Sequence, residues 1–181
     1  MAGGSFFILL DDIAAILDDV AAMTKVAAKK TAGVVGDDLA VNAQQVTGVS
    51  AERELPIVWQ VAKGSFWNKV KIIPLALLLS ALSKVLVMIA LMLGGIYLCY
   101  EGAEKIFGHS AENEDKKTLS EEEKIDGAIK TDFVLSGEIM VIALGSAATL
   151  PFLSQVLVLS VIGIAMTVGV YGLVALIVKA D

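Results

Sequence analysis

Residues 152–178 read FLSQVLVLSVIGIAMTVGVYGLVALIV, an uncharged run that follows directly on Pro151. At about 1.5 Å per residue a helix over this run is about 40 Å long, more than the roughly 30 Å hydrocarbon core of a bilayer. Upstream, Phe133–Leu150 is a second apolar stretch interrupted by one acid, Glu138, and Thr149 with Pro151 makes a tight connection between the two. Only helices or closed barrels satisfy their backbone in lipid, so the run is read as a spanning helix. The fold class that follows is all-α, a polytopic helical membrane protein with amphipathic cytoplasmic helices.

Composition agrees with a solvent other than water. Hydrophobic residues make up 56% of the 181 positions, and the mean hydropathy of +0.76 is well above that of soluble chains. Charge is concentrated in 11–71 and 101–132 and is nearly missing from 72–100 and 133–178. A net charge of -6 with no Lys/Arg cluster argues against nucleic acid as a partner. Cys99 sits inside an apolar run and reads as a small packed hydrophobe, and His109 is the sole histidine. One Cys and one His at no ligand spacing make no metal site, so neither a metal nor a cofactor is expected. The phosphate-binding loop, the nucleophile elbow and the Ser/His/Asp set are all missing, and no catalytic residue is assigned; the chain reads as a non-enzyme. Ser5–Leu10 is too short for a secretory signal and runs straight into Asp11 and Asp12, so the N-terminus reads as retained.

Ile72–Tyr100 is divided by Ser83-Lys84 into two arms, each shorter than the roughly 20 residues of a standard span. One kinked helix and a hairpin both fit the length. The hairpin leaves Lys84 alone on one side and gathers the other lysines and Arg53 on the cytoplasmic side, which the positive-inside rule favours. The first arm then starts near Lys63, with Trp67 at the headgroups, Lys69 and Lys71 snorkelling to the interface, and Tyr97 and Tyr100 in the same belt. This divides the chain into a cytoplasmic helical region 1–62, a membrane hairpin or re-entrant pair 63–106, a charged cytoplasmic loop 107–132 and two transmembrane helices in 133–181. The N-terminus lies in the cytoplasm and the bilayer is the first partner.

Residues 10–23 repeat every seven positions, LDDIAAI followed by LDDVAAM, so Leu10, Ile13, Leu17 and Val20 line one helix face. Asp12 and Asp19 point away from that seam and Asp11 and Asp18 flank it. The four read either as a solvated acidic face or as a cytoplasmic cation site. Residues seven apart on one helix are roughly 10.5 Å apart along its axis, whereas calcium ligands lie within about 2.6 Å of the ion. A cation site there needs a second element or subunit. Acidic flanks suit protein better than anionic lipid, which makes a homo-oligomer the economical arrangement. Residues 31–54, with Gly33, Gly36, Gly48 and Ser50, read as turns around a short helix Leu39–Val46, and Pro56 opens another helix. Ser120 and Glu123 have capping-box spacing, and Glu121, Glu122 and Glu123 suit the start of a helix there.

The stretches LLDDIAAILDDVAAMTKVAAKKTAGVVGDDLAVNAQQV, RELPIVWQVAKGSFWNKV, LMLGGIYLCYEGAEKI and KIDGAIKTDFVLSGEIMVIAL together resemble the YedI-like family of bacterial inner-membrane proteins. The resemblance covers nearly the whole chain. It implies a bacterial inner-membrane location and a topology class, with no substrate or catalytic residue to carry over. It also implies that the chain is the N-terminal portion of a longer protein.

Glu138 is the residue that calls for a role, because an acid inside an apolar span costs on the order of 3 kcal/mol unless a cavity, a partner or a proton relieves it. Its plain reading is structural, a side chain reaching interfacial water about 9 Å beyond Asp132. Glu101 and Glu104 close the second arm and read either as interfacial end-caps or, with Glu138, as a carboxylate cluster on an ion or proton pathway. Ala165, Gly169 and Gly172, like Gly94 and Gly95, read as small faces for close helix packing. Two functions fit: an oligomeric channel- or transporter-like protein for a small cation or solute, and a non-transporting membrane scaffold held together by the seam of Leu10, Ile13, Leu17 and Val20.

Overall fold

Small and apolar side chains recur at spacings of three and four from Val20 onward, with Ala27, Thr31, Asp38 and Asn42 continuing one buried stripe. That continuity carries a single helix, α1 (Ala2–Val46), through Gly33 and Gly36. Each internal glycine costs about 1 kcal/mol of helix propensity, and burial of the stripe offsets it. The reading of 31–54 as turns is therefore corrected over 31–46, and 51–54 are helical too, as the start of the next element. The computed structural model describes residues 2–46, 51–108 and 120–180, so Gly48, Ser50 and His109 lie outside the described residues.

All described elements are helical: after α1 come α2 (Ala51–Leu82), α3 (Lys84–Gly108), α4 (Glu121–Ser146) and α5 (Phe152–Ala180). Pro56 lies inside α2 instead of opening it, and α2 continues through Pro74. It stops at Ser83, whose Oγ accepts a hydrogen bond from the Val85 N–H at 3.2 Å and starts α3. Ile72 with Gly94, and Leu79 with Val87, line one apolar cleft of about 130 Å³, so α3 turns back antiparallel to α2. The capping box forms at α4: Ser120 Oγ accepts from the Glu123 N–H, and the Glu123 carboxylate accepts from the Ser120 N–H at 2.8 Å.

Helices α1, α4, α2 and α5 form a four-helix bundle in that order around its axis, the largest interfaces being α2 with α4 and α1 with α5. Arg53 meets Glu121, Gly64 meets Ile129 and Ser65 meets Asp132, so α2 and α4 run the same way. Val20 and Ala27 share an apolar cluster with Val158 and Leu159, while Leu39 and Ala43 pack against a second one containing Val170 and Val174; α1 and α5 are thus also parallel. The two pairs oppose each other, since Lys69 and Ile73 approach Gly163 while Ile57 and Val61 cluster with Val174. Helix α3 lies outside this square, against α2 and α4.

Two described helices are long and apolar enough to cross a membrane, Arg53–Leu82 and Phe152–Ala180, and Lys84–Tyr97 is apolar but shorter. Phe133–Leu150, read as a further span, supplies the second half of α4 and the turn after it, and is not among them. Cys99 is exposed and not packed.

Of the small residues expected at close helix contacts, Gly94 is at one, and a second close approach falls at Gly64, which the sequence did not single out. A Cβ at Gly64 would run into the Ile129 side chain, and one at Gly94 would lie 2.8 Å from Val134 Cγ1. Gly95, Gly169 and Gly172 face open space, and Ala165 is exposed. Gly64→Leu is therefore expected to destabilise the α2–α4 contact by about 1–3 kcal/mol. Gly169→Ala should cost nothing and gain up to about 1 kcal/mol of helix propensity. Denaturation in detergent checks both.

Candidate functional site

Each helix of the bundle turns an apolar stripe to the axis, and at one level every stripe switches to polar residues. In α2 the sequence of buried positions is Val61, Ser65, Asn68 and Lys69, Ile72, Ala76; in α4 it is Ala128, Asp132, Ser136, Ile139, Ala143. Helix α1 contributes Asp38 and Asn42, and α5 contributes Tyr171. Helical spacing places these groups at core positions, so they are held by the packing of the apolar residues above and below them. One apolar cluster, built around Ile139, Met140 and Leu159, closes one end of the polar layer. Ile57, Val58, Val61 and Val174 close the other.

Asp132 is the hub of this layer and is 0% exposed. Its Oδ1 accepts from Ser65 Oγ at 2.7 Å and lies 3.5 Å from Lys69 Nζ. Its Oδ2 accepts from Asn68 Nδ2 at 2.9 Å. The Lys69 ammonium, on a residue 4% exposed, donates to Ser65 Oγ at 2.6 Å and to Ser136 Oγ at 2.9 Å. The Tyr171 hydroxyl stands 3.1 Å from Asp132 Oδ1 and 3.0 Å from Asn42 Oδ1, with one proton to give. Asn42 Nδ2 in turn donates to Asp38 Oδ1 at 2.7 Å and to the Asp38 carbonyl at 2.8 Å. A continuous chain of polar contacts therefore links Asp38 on α1 to Lys69 on α2 through all four helices, with the single Tyr171 proton going either to Asn42 Oδ1 or to Asp132 Oδ1.

Two buried carboxylates face one ammonium, and their environments differ. Asp132 collects donors from three residues besides the ammonium, whereas Asp38 has the single Asn42 amide. Burial, reinforced by the negative charge of Asp132, pushes the Asp38 carboxyl up to about 7 against the opposing pull of Lys69 and the Asn42 hydrogen bond.

The residues singled out from the sequence lie elsewhere. Glu138 is exposed on α4, off the stripe that carries Asp132 and Ser136. Glu101 and Glu104 belong to α3, and their side chains lie outside the described residues. The Gly94–Val134 contact sets the α3–α4 register and levels Glu101 and Glu104 with the first turns of α4, about 16 Å and about 21 Å along the axis from Glu138. Asp11, Asp12, Asp18 and Asp19 are all exposed on the first turns of α1. No group of three or more His, Cys, Asp or Glu side chains suited to a metal occurs among the described residues. Lys69, read as snorkelling to an interface, is instead the buried partner of Asp132, because its stem continues the inward stripe of α2. What the sequence reading missed was legible as polar residues at core spacing, Ser65/Lys69 and Asp132/Ser136, each pair four apart between apolar neighbours.

A model of the family described as Protein of unknown function (DUF808) matches residues 4–181. No curated protein and no solved structure matches the chain.

Removing one member of a buried ion pair leaves the other uncompensated, at a cost of about 3–5 kcal/mol, whereas replacing both by apolar groups of similar volume is often neutral. Asp132→Leu and Lys69→Met are each expected to fall in that range. The double variant should recover much of the loss, as read from detergent denaturation midpoints. Equal and additive losses would mean that the two side chains do not interact.

Proposed function

The chain belongs to this family of unknown function, and we propose that it is a bilayer-embedded, non-enzymatic helical bundle that passes a small cation or solute, with the Lys69–Asp132 layer as its working centre. The observation that carries this reading is the burial of an ion pair and its hydrogen-bonded escorts on the axis of a bundle with two helices apolar enough to span. Ionisable groups at such positions are costly and mark ion or proton paths. The outward surface supports the bilayer: Leu82, Val85, Met88, Met92 and Leu93 are exposed around the α2–α3 turn, and Ile164, Val168 and Leu176 along α5. Trp59 and Trp67 are 63% and 60% exposed on α2, and Lys63 stands over the Trp59 ring at 5.4 Å, as in an interfacial belt. The likeness to the YedI-like proteins extends the same proposal to a bacterial inner membrane with a cytoplasmic N-terminus.

A second reading has its own observation. Phe6, Phe7, Leu10, Ile13 and Leu17 are exposed on α1, and only Val20 of the four-residue seam packs within the chain. In that reading the seam joins copies of the chain into a homo-oligomeric scaffold that transports nothing.

Flux of monovalent cations and protons from liposomes containing the purified chain separates the two. Transport predicts measurable flux that Asp132→Asn abolishes and Glu138→Gln leaves intact. A wild-type chain without flux would leave the scaffold, and flux that is sensitive at Glu138 and indifferent at Asp132 would remove the Lys69–Asp132 layer from the transport path.

A further inference from the structure

The polar layer does not balance its charges. Asp132 and Lys69 pair, and the groups that face Asp38 from the surrounding helices are the Asp132 carboxylate of α4, the Lys69 ammonium of α2 and, through Asn42, the neutral hydroxyl of Tyr171 on α5. One ammonium is thus shared by two acids in a space closed at both ends by apolar clusters. An unpaired carboxylate in such a place is among the most expensive groups a fold can hold, and it is relieved by neutralisation. Asp132 is the acid that accepts from Ser65, Asn68 and Lys69, with the Tyr171 hydroxyl also within reach. Asp38 receives one amide N–H on Oδ1, and no hydrogen bond reaches its Oδ2 among the described residues. It is also the acid nearer to water, at 2% exposure against 0% for Asp132.

We propose that Asp38 is a proton-binding site, so that near neutral pH the bundle centre carries one exchangeable proton on Oδ2 of this carboxyl, neutralising the charge left over once Lys69 has paired with Asp132. The proton is taken from water and returned to it. The Asn42 amide and the single Tyr171 hydroxyl proton connect the site to the ion pair, because a charged Asp38 holds the amide more strongly than a neutral one and alters what Asn42 Oδ1 offers to Tyr171. The ligand is a proton and not an alkali cation, since only one carboxylate oxygen lacks a donor and a metal ion requires several. The site deepens the reading of the layer as a working centre but not of transport: a chain that carries nothing across a bilayer still binds this proton.

Infrared difference spectroscopy of the full chain in detergent, between about pH 6 and 8.5, tests it, because ordinary exposed carboxyls are already ionised throughout that window. The carbonyl stretch of a protonated carboxylic acid is expected at the lower pH, lost at the higher, missing in Asp38→Asn and kept in Glu138→Gln. A band kept in Asp38→Asn, no band in the wild type, or a band that does not shift with ¹³C-labelled aspartate would overturn the assignment. A midpoint that moves with sodium at constant ionic strength would assign the site to an alkali cation instead. Stability gives a second readout. The folded carboxyl binds its proton more tightly than the unfolded one, whose ordinary value is 3.8, so the stability it contributes is whole below about pH 4 and is lost as pH rises through about 7. The thermal midpoint of the wild type should therefore fall over that range, and Asp38→Asn, which keeps the side-chain shape, should flatten the fall; an unchanged fall contradicts the proposal.

Discussion

The ion pair between Lys69 and Asp132 constrains everything around it. A charged pair withdrawn from water is tolerated only if its remaining hydrogen-bonding capacity is met, and here Ser65, Asn68, Ser136 and Tyr171 meet it. Those partners come from three helices, and Tyr171 brings in the fourth through Asn42. The relative register of α1, α2, α4 and α5 is therefore specified by a set of directional contacts. Such a layer is weak evidence for stability and better evidence for specificity, because apolar replacement of both charges is often as stable.

The apolar layers do the complementary work. Ile139, Met140 and Leu159 on one side and Val61 and Val174 on the other exclude water from the polar layer. This raises the strength of each hydrogen bond inside it and the cost of leaving any group unmatched. Gly64 lets α2 approach α4 closely one residue before Ser65, so the glycine sets the distance at which Ser65 reaches Asp132. Backbone closeness and side-chain chemistry are in this sense one device. It also explains why an excess carboxyl such as Asp38 is consequential: with little solvent to screen it, its charge is felt across the polar chain.

The helical class and the start of α4 could be read directly, the latter because Ser120 and Glu123 carry their structural meaning within one turn. What escaped reading depended on tertiary context. Gly33 and Gly36 signal turns locally, yet α1 passes through them because its inward stripe continues to Asn42. Glu138 drew attention as an acid in an apolar run, but the run is one face of α4, and Glu138 is on its outer side. Asp132 was passed over as the edge of a loop and Lys69 as an interfacial anchor, since each looks solvent-bound when its own neighbourhood is charged. Only the pairing of two distant helices in register, with a lysine on one and an aspartate on the other at core positions, reveals that each charge is balanced by the other. Ala165, Gly169 and Gly172 taught the converse: small residues on one face do not imply a neighbour there.

The central claim is that Lys69 is sealed inside the bundle against Asp132, and amine acylation of the folded chain tests it most directly. With a water-soluble reagent and mass-spectrometric mapping, Lys25, Lys29 and Lys63, which are exposed, should react fully while Lys69 stays protected until the chain is unfolded. Acylation of Lys69 at the same rate as Lys63 in the folded protein would contradict the account.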